Sequence, residues 1–355
     1  MRLRWSALCI FTYRCVRLDW PRYCLYKQIE LTPAWQDFVY EFTCKADEKN
    51  ARINFILGQN NVSVEFSDVQ LRDIQRDEAI EPKLSEKYMV SYRFNALGCR
   101  GRDYPIPKPE NTVRILALGD SYTQGMGVHE EDTFVYQLEH LLNERAKAQG
   151  SEKIYEVINA GITGYSTREE RLFYELFGAK YEPDVVLLVM VWNDDMSWSD
   201  ESKRIQRTPG RLEQQFHIWG QIQQQRHKRP DPTDYSGSLA EVKKLHSELG
   251  KRGARLGIVF FRNSKGPPKN GKPAKHYEVW VNLVNTVTDG LQGYDIPTID
   301  IGDALFENHT SRDLVVHERI DLHPNEIAHK IAARELRDFL LRNGLVPPGD
   351  LHGSQ

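Results

Sequence analysis

The chain has 355 residues, 40% of them hydrophobic and 27% charged, with a formal net charge of −3. This is the composition of an ordinary globular chain with room for two domains, and it lacks the basic surplus of a nucleic-acid binder. No stretch approaches the roughly 18 consecutive apolar residues of a membrane span, so no integral membrane segment is expected. The start, Met1-Arg2-Leu3-Arg4-Trp5-Ser6-Ala7-Leu8-Cys9-Ile10-Phe11, is basic and then apolar. Its apolar run is short, and Arg14 and Arg17 follow, so it is not read as a signal peptide. Cys9, Cys15, Cys24, Cys44 and Cys99 all lie in the first hundred residues, without Cys-x-x-Cys or paired histidines. No metal site is read from them, and an odd number leaves at least one thiol unpaired.

Residues 1–72 read as short β-strands over 24–31, 35–44, 51–57 and 62–71, separated by Thr-Pro, Asp-Glu-Lys-Asn and Gly-Gln-Asn-Asn turns. Apolar residues alternate in Phe38, Tyr40, Phe42 and Cys44 and again in Ile53, Phe55 and Leu57, the pattern of a sheet with one wet face. Trp35 to Phe42, Ala51-Arg52-Ile53-Asn54-Phe55-Ile56-Leu57-Gly58 and Val62 to Leu71 with Asp68-Val69 resemble the later strands of a jelly-roll carbohydrate-binding module. That resemblance implies a small all-β segment, without the module's first strands and with Trp20 and Trp35 as candidates for stacking on a sugar.

Residues 73–112 read as a connector. It has a charged start with Pro82, then Tyr92-Arg93-Phe94-Asn95-Ala96-Leu97-Gly98-Cys99-Arg100-Gly101, then Pro105, Pro107 and Pro109. From Val113 to 345, strand and helix patterns alternate, which predicts an α/β domain with a parallel sheet. Strands are expected over 113–118, 154–159, 184–191, 256–261 and 296–301, and helices over 133–148, 167–180, 237–252, 277–291 and 325–343. An insertion over 195–235 carries Trp198, Phe216 and Trp219, and residues 346–355 form a tail. Its place after the third strand makes the insertion a candidate lid over the carboxyl edge of the sheet.

Four polar blocks follow strand ends: Gly119-Asp120-Ser121, Asn159-Ala160-Gly161-Ile162-Thr163-Gly164, Trp192-Asn193-Asp194 and Asp321-Leu322-His323-Pro324. In an open parallel sheet, ligands sit beyond the carboxyl ends of the strands. A serine hydroxyl needs a base to take its proton, and a histidine needs its tautomer fixed. Ser121 is therefore the candidate nucleophile, His323 the base and Asp321 its orienting group. Acyl transfer also needs donors for an oxyanion; the Ser121 and Gly161 N–H groups and the Asn193 amide are the candidates. Each block alone also reads as an ordinary turn or helix cap; the order of the four is what argues for a site.

In that order the blocks resemble those of the SGNH (GDSL) hydrolase superfamily, whose named residues are Ser, Gly, Asn and His, across residues 113–343. The resemblance implies a three-layer α/β/α sandwich with a flavodoxin-like parallel sheet and neither metal nor organic cofactor. It also implies Ser121, His323 and Asp321 as the triad, and Ser121, Gly161 and Asn193 as the oxyanion hole. Two positions depart from the family pattern. Val191 stands where a glycine is usual, two residues before Asn193, which predicts a narrowed pocket or a shifted Asn193. Asp321 precedes His323 by two residues instead of three, a spacing an extended segment tolerates because residues i and i+2 share a side. Glu318 or a backbone carbonyl is the alternative orienting group, and His317 and His329 are the alternative histidines.

The expected activity is hydrolysis of short acyl esters, acetyl first, on a small-molecule or polysaccharide substrate. Alternatives are a lipase or lysophospholipase, an O-acyltransferase, and a glycan-binding protein that keeps the fold without catalysis. A carbohydrate substrate implies a periplasmic or secreted setting.

Overall fold

The computed structural model divides the chain into two compact units, Met1–Met89 and Val90–Gln355. It describes residues 2–5, 9–12, 28–31, 36–37, 64–67, 71–73 and 78–80 of the first, by backbone alone. Of the second it describes 90, 92–192, 194, 234–262, 275–317 and 321–347.

In the first unit, strand β1 (Arg2–Trp5) lies antiparallel between β4 (Gln36–Asp37) and β5 (Val64–Ser67). Strand β2 (Cys9–Thr12) pairs with β3 (Gln28–Leu31), and β6 (Leu71–Asp73) with β7 (Glu78–Ile80), both antiparallel. β1 and β2 occupy the basic-apolar start, where no strand was expected. The 51–58 stretch that resembles a sugar-binding module lies outside the described residues.

The second unit is built on five parallel strands: β8 (Thr112–Gly119), β9 (Ile154–Gly161), β10 (Val185–Met190), β11 (Arg255–Phe260) and β12 (Thr298–Asp300). Their order in the sheet is β12-β11-β10-β8-β9. The chain thus winds outward in one direction from β8 to β9 and then returns past β8, so the switch point lies between β8 and β10. The connecting helices are α1 (Ser121–Gln124), α2 (Phe134–Ala148), α3 (Thr167–Leu176), α4 (Ser236–Gly250), α5 (Lys275–Gly290), α6 (Gly302–Glu307) and α7 (Glu326–Arg342). A short antiparallel ribbon of β13 (Val315–His317) and β14 (Asp321–Pro324) precedes α7.

Alternation along the strands separates the core into two layers. Val113, Ile115 and Ala117 of β8 face Leu138, Leu336, Leu340 and Leu305 of α2, α7 and α6. Leu116 and Leu118 face the opposite way, with Phe173, Leu245 and Leu283 of α3, α4 and α5. This is the three-layer α/β/α sandwich. Because both faces of β8 and β10 are covered, both read as unbroken apolar runs. The exception in β8 is Arg114, fully buried, whose guanidinium bonds Glu156 Oε2 at 2.5 Å, the Tyr181 carbonyl at 2.7 Å and the Pro105 carbonyl at 3.1 Å.

The second unit begins at Val90, ahead of the 113 boundary read from the sequence, because the connector is packed onto the sheet and α2. The Tyr104 hydroxyl donates to the Val157 carbonyl at 2.9 Å, and Arg102 pairs with Glu139 at 3.1 Å. Among described residues, no helix is long and apolar enough to cross a membrane.

His329 of α7 is wholly buried between Phe134 and Phe261, and its Nδ1 accepts the Phe134 N–H at 3.2 Å. Burial, reinforced by the Arg100 and His323 charges, pulls its pKa down to about 3. The unfolded chain takes up that proton near pH 6.5, so the histidine's contribution is complete above 6.5 and lost as the pH falls toward 3. Denaturant melts should show stability falling by up to about 1.4 kcal/mol per pH unit in that window. A His329→Gln variant should give a flatter acid limb; equal slopes would contradict this assignment.

Candidate active site

The polar blocks converge at the carboxyl ends of β8, β9 and β10. β8 ends at Gly119, and Asp120 caps the four-residue helix α1 by accepting the Tyr122 N–H at 2.9 Å. Ser121 is therefore the first helical residue, and its own N–H is one of the groups an α-helix cannot satisfy internally. A Cβ on Gly119 would lie 2.1 Å from Thr123 Oγ1, which accounts for glycine immediately before the turn.

His323 comes from β14. Its Nε2 lies 2.9 Å from Ser121 Oγ and its Nδ1 lies 2.6 Å from Asp321 Oδ1. The carboxylate takes the Nδ1–H, which assigns Nε2 as acceptor for the serine proton. Asp120 Oδ2 is 3.4 Å from Ser121 Oγ, too long to compete. Asp321 Oδ1 also accepts the His323 N–H at 3.3 Å. The extended backbone of β14 thus brings Asp321 to its histidine across a two-residue spacing, as the sequence allows. The Tyr122 ring stands edge-on to His323, with centroids 5.7 Å apart, and limits the imidazole's swing. His329, the alternative histidine, is committed to the core; Glu318 lies outside the described residues, and of His317 only the backbone, in β13, is described.

Gly161, read from the sequence as an oxyanion donor, also has a packing role. In the β8–β9 ladder it sits beside Gly119, and its N–H donates to Asn159 Oδ1 at 3.0 Å. A Cβ there would lie 2.2 Å from the Gln124 nitrogen, so this glycine makes room for α1. Gly164 in the same turn has φ of 82°. Asn193 lies outside the described residues, as do 195–233 of the insertion. The flanks of that gap are anchored. Asp194 Oδ2 accepts the Val191 N–H at 2.8 Å, Tyr235 donates to the Trp192 carbonyl at 2.7 Å, and Ser238 donates to the Asp194 carbonyl. Val191 buries its side chain in the core layer of α2, α6 and α7, so its bulk is accommodated there.

Three residues near the site had no role assigned from sequence. Asn159 ties β9 to α1, donating to the Thr123 carbonyl at 3.0 Å while accepting the Gly161 N–H. Gln124 accepts from the Thr163 hydroxyl at 2.5 Å. Glu170 is 0% exposed, and neither carboxyl oxygen meets a partner among the described residues. An acid on the buried stripe of α3, beside Phe173 and Tyr174, was the signal for it. Burial, followed by the Asp194, Asp120 and Glu169 charges, pushes its carboxyl well above the ordinary range. Among described residues, no group of three or more His, Cys, Asp or Glu is arranged to hold a metal ion.

A raised carboxyl pKa means that the folded state holds the proton more tightly than the unfolded one, so stability is complete below about pH 4.5 and falls as the pH rises through that window. Glu170→Gln imitates the protonated acid. Its stability advantage over wild type should grow with pH above 4.5, by up to about 1.4 kcal/mol per unit. Melts that stay parallel across pH would show that Glu170 carries a compensated charge.

Residues 117–331 match the model of the GDSL-like lipase/acylhydrolase family. No curated protein matches the chain. Among solved structures, a two-domain esterase active on acetylated mannans is 17% identical over 69% of this chain and 52% of that one, with a TM-score of 0.41. The chain thus spans about half of that esterase's length. A catalytic mutant of an acetylxylan esterase from Geobacillus stearothermophilus is also 17% identical, over 65% of this chain and 93% of that one, with a TM-score of 0.44. An esterase from Pseudoalteromonas sp. is 18% identical over 66% and 98%, with a TM-score of 0.40. The family match spans more than half of the chain, and the chain belongs to the GDSL-like lipase/acylhydrolase family.

Proposed function

We propose that the second unit is a serine ester hydrolase in which Ser121 is the nucleophile, His323 the general base and Asp321 the group that orients it. The observation carrying this reading is the unbroken relay from Ser121 Oγ through His323 to Asp321, at 2.9 and 2.6 Å. Nε2 takes the hydroxyl proton as Oγ attacks the acyl carbon. The imidazolium, stabilised by Asp321, returns the proton to the departing alcohol. Water then enters by the same route in reverse, releasing the acid and restoring Ser121. The Ser121 N–H, the Gly161 N–H and the Asn193 amide are the donors assigned to the oxyanion.

The finer reading is a short acyl group, acetyl first, on a carbohydrate. It rests on the resemblance of residues 35–71 to a sugar-binding module. The lipase or lysophospholipase reading uses the same relay and differs in the length of acyl chain accepted.

Hydrolysis of p-nitrophenyl esters from acetate to decanoate separates these readings. The proposal expects acetate or propionate to be preferred; a preference for decanoate would move the assignment to a lipase. Ser121→Ala should lower kcat by at least about 10³-fold with the fold retained, and Asp321→Asn by about 10³- to 10⁴-fold. Activity within a few-fold of wild type in Ser121→Ala would remove Ser121 as nucleophile.

A further inference from the structure

The Tyr92–Gly101 motif lies ahead of the residues that match the family, yet its strongest contacts are made to the nucleophile turn. Asn95 folds the segment on itself: its Oδ1 accepts the Leu97 and Cys99 N–H groups, each at 3.0 Å, and its N–H donates to the Cys99 carbonyl at 2.8 Å. Gly98 takes a φ of 73° there, and Phe94 pairs with Arg100 in an antiparallel bridge. The turn drives Arg100 inward until it is 2% exposed.

The buried guanidinium pairs with backbone. Nη1 donates to the Gln124 carbonyl at 3.1 Å and the Gly125 carbonyl at 2.5 Å, and Nη2 to the Val128 carbonyl at 2.6 Å. The Tyr92 ring covers it at 4.2 Å, and the Tyr92 hydroxyl accepts the Gly127 N–H at 2.8 Å. The Gln124 and Gly125 carbonyls sit at the C-terminal end of α1, where a cation is favoured, and Val128 lies in the turn that follows. From there the link to the reacting group is short. The Gly125 and Met126 N–H groups both donate to the Ser121 carbonyl at 3.1 Å. A four-residue helix has no stability of its own, so its geometry is set by what holds its ends. Asp120 holds one end and Arg100 the other.

We propose that Arg100, carried on the Asn95 turn ahead of the family's own residues, is a positioning residue that fixes the Ser121 backbone from the far end of α1. The inference rests on the hydrolase reading of that serine. Arginine is required for its planar fork, which serves carbonyls on both of its arms; a lysine ammonium keeps the charge but cannot reproduce that spread.

The test uses full-length Arg100→Lys and Tyr92→Phe proteins, with hydrogen exchange and p-nitrophenyl acetate kinetics measured together. Arg100→Lys should speed exchange at residues 125–128 while the β8 and β10 amides stay protected. It should lower kcat on the order of 10- to 100-fold, with KM within about twofold. Tyr92→Phe, which removes one hydroxyl, should shift both readouts in the same direction by a few-fold and covers failure of the lysine variant to fold. A folded variant with wild-type kcat, or with protection lost evenly across the sheet, would overturn the positioning role. Wild-type protein without Ser121-dependent hydrolysis, but with Arg100-dependent protection at 125–128, would overturn the hydrolase reading and the catalytic role of this contact with it.

Discussion

The hydrogen bond from Ser121 Oγ to His323 Nε2, 2.9 Å long, joins residues more than two hundred positions apart, and both of its ends must be held for it to exist. A serine hydroxyl is a weak nucleophile unless its proton has a ready acceptor. One end is held by β8, buried on both faces between two helical layers, which delivers Ser121 to the carboxyl edge beside the switch point of the sheet. The other is held by β14 and by Asn325, which caps α7 by accepting the Ile327 and Ala328 N–H groups. The β13–β14 ribbon adds the pairing that keeps Asp321 and His323 in one extended run.

Charge is buried at both ends of the sheet under different compensation. At the amino end, Arg114 meets the Glu156 carboxylate and two carbonyls, a pair whose rupture from one side is costly. At the carboxyl end, Arg100 meets three carbonyls under the Tyr92 ring, and Glu170 meets no partner among the described residues, its carboxyl pushed well above the ordinary range by burial. The amino-end pair ties the connector to the sheet through Pro105, and Arg100 ties it to the turn that carries Ser121. That is why the folded unit begins near Val90 and not at the first strand.

The sheet, and the segments that bring Ser121, His323 and Asp321 together, were legible because each left a local signal. Strands covered on both faces leave unbroken apolar runs, and Asp-Leu-His-Pro leaves a short block whose two-residue spacing suits an extended strand. Gly161 was legible as a close-approach glycine, but sequence does not reveal what approaches. It is the α1 backbone at Gln124, for which the glycine makes room. Arg100 and Asn159 left no periodic signal at all. Their partners are main-chain groups that any residue offers, brought close only when β8, β9 and the connector have packed together.

The relay is tested most directly by treating the protein with a fluorophosphonate ester and mapping the adduct by peptide mass spectrometry. The account predicts one phosphonyl group per chain on the peptide containing Ser121, with labelling abolished in Ser121→Ala and slowed in His323→Ala. A protein that takes up no label, or takes it up at another serine and equally well after Ser121→Ala, would contradict it.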